Sequence, residues 1–296
     1  MKLIKKIFTG SLITLAVTGC SMTSEPYSID TAASNIPDRS FVFEKVQAEG
    51  IRELDEQSVI NAVRKYIKDN SAFNKCSSGL FGGNCTKTGS SGIRDNWGSN
   101  VTNTGNAFNV VYYSDKTYST GRSDRAMIEQ RLPYTISTSE DAITLLLTPP
   151  TSAQAKPTSD AIGLPYSVPI SDENVLAWTK ALFERESTAE IAQTIHRTGE
   201  FDVSLDPDSV RANLFRKFDL ELTESSSDIQ WKAIATRHLG DARVNISLVV
   251  SLYRGNTKIE YTLTHPFEVH SNGEVHDYND EIIDIALKQL IEAANA

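Results

Sequence analysis

Three of the five histidines, His265, His270 and His276, fall within twelve residues near the C-terminus, with Asp277 beside the last. Imidazole nitrogen and carboxylate oxygen are ligand types that zinc and copper accept, so this is the one cluster with residue types suited to metal chemistry. The spacing argues against a single four-ligand set. His265 and His270 are an odd number apart, which sends them to opposite faces of a regular strand unless a bulge at Pro266 resets the phase. His276 lies beyond an Asn272-Gly273 turn. Ordinary surface histidines account for the cluster; a metal site and a pH-sensitive contact are the alternatives.

Other signatures of catalysis are missing from the sequence. It has no Gly-x-Ser-x-Gly elbow, no His-Glu-x-x-His pair and no glycine loop ending in Lys-Ser or Lys-Thr. Glu221, Glu224 and Asp228, around three serines, do not match the spacing of an EF-hand loop. No catalytic residue and no cofactor is assigned, and a non-enzyme is expected. Trp178 and Trp231 suit core positions, whereas Trp97, in a glycine-rich stretch, is the aromatic to test as a partner contact.

What must position these residues begins with an export signal. Lys2, Lys5 and Lys6 precede an apolar run over residues 7–17, which closes on Val17-Thr18-Gly19-Cys20. The run is too short to cross roughly 30 Å of hydrocarbon comfortably, and it reads as a secretory signal. The four-residue close resembles the lipobox of bacterial lipoproteins. That resemblance implies cleavage after residue 19 and acylation of Cys20, and Ser21, where aspartate would favour inner-membrane retention, implies the outer membrane. The expected address is a lipid anchor in the outer membrane on its periplasmic face. Removing a segment with three lysines and no acids takes the formal charge from −9 to −12. Such a surface disfavours nucleic acid, so membrane attachment rests on the acyl chains.

In that oxidising compartment Cys76 and Cys85 are expected to form a disulfide, closing a short loop within a glycine-rich stretch, 74–105, read as a long loop. The fold class is α+β in two regions. Residues 20–39 are expected as an acylated tether reaching roughly 60 Å at most. Residues 40–150 form a first α+β domain, 151–170 a proline- and serine-rich linker, and 171–296 a second α+β domain. A helix is expected from Asp55, with Val59, Ile60, Val63, Tyr66 and Ile67 on one face. In the second region helices are expected over 171–185 and 189–197, the latter stopped by Gly199, and a third from Asp206-Pro207. An antiparallel meander over residues 231–263, turning at Gly255-Asn256, packs against helices including a closing one from about Asn279.

Residues 199–203, Gly-Glu-Phe-Asp-Val, and the hairpin at Gly255 give residues 189–294 a resemblance to small α+β modules of envelope proteins such as the curli-exporter, Tol-translocation and penicillin-binding-protein-activator lipoproteins. That resemblance implies a module that binds an envelope protein partner. The functional expectation is a non-catalytic, outer-membrane-anchored assembly component. Alternatives are a periplasmic metal-binding protein or hydrolase using the histidine cluster, and a surface lipoprotein of adhesion or immunity.

Overall fold

Period-two alternation dominates the chain, and it resolves into two antiparallel sheets with four helices in a computed structural model describing residues 28–31, 35–70, 84–88, 94–117, 120, 123–157, 172–227 and 230–296. The α+β class and the C-terminal meander stand as expected.

The first sheet has eight strands: β1 (Ser28–Asp30), β2 (Arg39–Glu44), β3 (Asn84–Thr88), β4 (Arg94–Asn103), β5 (Ala107–Thr117), β6 (Ser123–Thr138), β7 (Ala142–Leu147) and β8 (Ser152–Pro157). β6 is its hinge. It pairs with β5 as far as Pro133 and with β7 from Tyr134 onward. Helix α1 (Glu56–Asn70) buries Val59, Ala62, Val63, Tyr66 and Ile67. Helix α2 (Asp172–Glu184) lies on this sheet too: the Trp178 ring packs against Tyr112 of β5 with centroids 5.0 Å apart and planes tilted by 39°, and the Gln130 amide of β6 donates to the buried Thr179 hydroxyl at 2.8 Å.

The second sheet runs β10 (Glu221–Ser227), β11 (Gln230–Leu239), β12 (Ala242–Tyr253) and β13 (Asn256–His270), with β14 (Val275–His276) and β9 (Glu190–Val203) also paired to β13. Helices α3 (Pro207–Lys217) and α4 (Glu281–Ala294) pack on one another and on β12 and β13. The start of α3 follows from local chemistry: the Asp206 carboxylate accepts from the Asp208 and Ser209 amides, and Pro207 takes the first turn. Inward residues of β12 (Val244, Ile246, Leu248, Val250) share one continuous core with Ile283 and Leu290 of α4 and with Phe41 and Leu145 of the first sheet.

Several expectations are corrected. Residues 189–197 are not a helix, because β9 runs straight through Gly199 and pairs with β13 from Val203 to Glu190. Gly199 is a place of close approach and not a stop: a Cβ there would lie 2.4 Å from the Tyr261 hydroxyl oxygen. Parts of the expected 74–105 loop are strands β3 and β4. β1 lies inside the expected tether and β8 inside the expected linker, and the two pair with each other. The hairpin turn is Arg254-Gly255, both at positive φ (51° and 87°), one residue earlier than read. α2, assigned to the second region, packs on the first sheet.

The regions are stitched by Gly50, whose carbonyl accepts the His196 amide of β9 at 2.8 Å. Its φ is +81°, and a Cβ would sit 1.9 Å from the His196 carbonyl oxygen. Gly50→Ala meets both a disfavoured conformation and unyielding backbone, and should cost more than about 2 kcal/mol. A urea unfolding midpoint lowered at unchanged slope is the expected result.

Candidate functional site

Side chains on β13 alternate strictly, and this decides where each histidine goes. The strand passes through Pro266 with no register shift against β9, from His265↔Ile195 to Phe267↔Gln193. Proline is accommodated because β12 ends its pairing at Thr264 and β14 begins at Glu268, leaving that side without a partner. His265 therefore points inward and His270 outward.

His265 is 1% exposed. Its Nδ1 lies 2.9 Å from the Arg243 carbonyl oxygen and its Nε2 2.6 Å from that of Asp277. The ring thus bridges two backbone carbonyls, one on β12 and one just before α4. With both nitrogens engaged by backbone, His265 is a tie and not a ligand. It ends at a residue in the left-handed region, Asp277 with φ +61°, whose side chain is exposed. Asp277 thus joins His265 through its backbone and stands apart from the other two histidines. His265→Leu removes the ring that bridges these carbonyls and should cost about 1–3 kcal/mol, read by chemical denaturation.

His270 and His276 do meet. Their rings stack with centroids 4.1 Å apart and planes 16° from parallel. Sequence reasoning missed the carboxylates around them. The chain reads Glu268-Val269-His270, then Ser271-Asn272-Gly273, then Glu274-Val275-His276: one tripeptide twice, either side of a turn. Folded as an antiparallel hairpin, Glu268 lies opposite His276, and the His270 amide donates to the Glu274 carbonyl at 2.8 Å. Each Nε2 faces the glutamate two residues before it, at 3.3 Å for His270 with Glu268 and 3.4 Å for His276 with Glu274. Glu190, the β9 partner of His270, brings a third carboxylate. The repeated tripeptide was the available signal.

The turn is built to hold these groups. Gly273 has φ +85°. Asn272 closes a local loop, its amide donating to Glu274 Oε2 at 2.7 Å while its oxygen accepts the Glu274 N–H at 3.2 Å. Together with His276, the Asn272 amide, the larger influence, holds the Glu274 carboxyl below the usual carboxylate range. A depressed folded value stabilises the fold at neutral pH and loses that contribution as pH falls through it. In Asn272→Ala the Glu274 carboxyl should titrate nearer its ordinary value, as followed by side-chain carboxyl NMR.

The same outward face of β13 carries a second feature. With α3 and α4 on the opposite side, Ile234, Thr236, Asn245, Ser247, Thr262 and Thr264 line an open depression of about 390 Å³, with Arg243 and Glu221 at its margin. Asn245 organises it: its oxygen accepts from Thr236 Oγ1 at 3.2 Å and Arg243 Nε at 3.1 Å, and its amide donates to Thr264 Oγ1 at 3.4 Å. Ile234 is 43% exposed within it.

The remaining expected residues fall elsewhere. Cys20 and Cys76 lie outside the described residues. Cys85 and Trp97 are register partners in β3 and β4, described in backbone only. No helix among the described residues is long and apolar enough to cross a membrane.

Comparison with known proteins adds little. No protein-family model matches the chain, and no curated protein matches it. Among solved structures, the chain is similar to DynU16, a protein of the dynemicin biosynthetic locus, at 9% identity over 87% of this chain and 94% of that one. The TM-score of 0.16 is too low to support a shared fold or function.

Proposed function

We propose that this protein is a non-catalytic lipoprotein of the bacterial outer membrane, acylated at Cys20 and facing the periplasm, that binds a protein partner of an envelope assembly through the open face of its second sheet. The observation that carries the reading is the asymmetry of that sheet. One side is buried under α3 and α4, while the other presents hydroxyl and amide groups in a concave surface around exposed Ile234. A polar surface with a small apolar centre, made of short side chains on a rigid sheet, fits partner recognition at low ordering cost. Because β1 starts at Ser28, an anchor at Cys20 lies no more than about 26 Å from the folded body. This limit is less than half the reach expected for a tether running to residue 39.

A photo-crosslinking residue at Ser247, on the open face, compared with one at Glu292, on exposed α4, tests the reading in the native membrane. A discrete adduct from position 247 alone, with two or more acyl chains on Cys20 by mass spectrometry, is the expected outcome. Equal adducts at both positions, or an unmodified Cys20, overturns it.

A further inference from the structure

The hairpin that closes β13 carries more ligand chemistry than any other described part of the molecule. We propose that it is a zinc-type divalent metal site in which His270, His276 and Glu274 are the ligands and Glu268 and Glu190 complete the charge around them. The inference rests on the hairpin and the adjacent end of β9, and is independent of the partner-binding reading.

The duplicated Glu-Val-His tripeptide is the first argument. An antiparallel turn places the two valines inward as the pair Val269↔Val275 and all four polar residues outward, so that each histidine lies diagonal to the other and opposite a glutamate. Ligand atoms of His270, Glu274 and His276 lie within 4.8 Å of one another, and those of Glu190, Glu268 and His270 do likewise. His270 belongs to both groups and sits at the centre. Two imidazoles with a carboxylate form an N/O set suited to zinc, at ligand distances of about 2.0–2.2 Å.

Charge is the second argument. Among the described residues, the ion-pair partners of Glu268 and Glu274 are the two histidines, and no lysine or arginine pairs with Glu190, Glu268 or Glu274. Three carboxylates thus gather around His270 with no lysine or arginine paired to them.

Preorganisation is the third. The hairpin backbone is braced from outside: the Val42 amide donates to the Ser271 carbonyl at 2.8 Å, the Gly273 amide to the Val42 carbonyl at 3.0 Å, and the Ser271 amide to the Ala189 carbonyl at 2.9 Å. His270, with a side chain 14% exposed, is the more enclosed ligand, while the His276 ring, at 49%, has open solvent into which it can rotate. Turning is required, since nearly parallel rings aim their nitrogens alongside one another and an ion needs them to converge. Asn272 is the positioning residue that aims Glu274.

The test is titration of the full chain, in detergent, with Zn²⁺ by calorimetry, together with imidazole NMR. One ion per chain, with the His270 and His276 ring signals shifting together and unmoved by excess Mg²⁺, is expected. His276→Ala and Glu274→Gln, both exposed, should abolish stoichiometric binding while the metal-free chain still unfolds in one cooperative transition. Asn272→Ala should weaken binding about tenfold, and His238→Ala on β11 should leave it unchanged. Binding well below one ion per chain, or binding equal in the wild type and in Glu274→Gln, overturns the proposal.

Discussion

Ser271 is a single buried residue at which three segments, distant in sequence, exchange hydrogen bonds. Its carbonyl accepts the amide of Val42 in β2, its amide donates to Ala189, and its hydroxyl accepts the Ala189 amide at 2.8 Å. Each bond is worth only about 1 kcal/mol net, but leaving any of these groups unpaired inside the protein costs more than that. The two sheets are therefore obliged to meet here, and the meeting fixes where the β13–β14 hairpin projects. A second tie works alongside it. The Arg39 guanidinium donates to the carbonyls of Leu182 and Phe183 in the last turn of α2 and of Ser187 beyond it, and lies over the rings of Phe41 and Tyr66. It thus satisfies helix-end carbonyls that have no intrahelical donor.

From this junction the division of labour along β13 follows. Odd-numbered positions supply the core, and even-numbered ones supply an uncovered face that runs from the Asn245-centred hydroxyl surface past Pro266 to Glu268 and His270. His265 shares a residue type with His270 and nothing else. One is a structural tie between β12 and the segment before α4, and the other is a presented imidazole.

What was legible in the sequence was what local chemistry decides. The Asp206-Pro207 start of α3, the apolar face of α1 and the alternation of β11 to β13 depend on neighbours a few residues away. What was not legible depends on partners. β9 looked helical because Gly199 resembles a stop, and the reason for that glycine is a tyrosine 62 residues later. β1, β3 and β8 have weak patterns of their own and are strands because a neighbour offers a ladder. The odd spacing of His265 and His270 was readable and gives their opposite faces. The glutamates around His270 needed the hairpin register before they could be placed.

β1 is three residues long and, among the described residues, pairs with β8 alone, and Thr31, just beyond it, bonds back to Thr151 and Pro150. Tension applied at the start of the chain is thus borne first by this short ladder, well before it reaches Arg39. Peeling it away would bare the outer rim of β8, a row of unsatisfied amides and carbonyls open to edge-to-edge association with a neighbouring molecule. The shortest strand of the first sheet is thus the one that covers this edge.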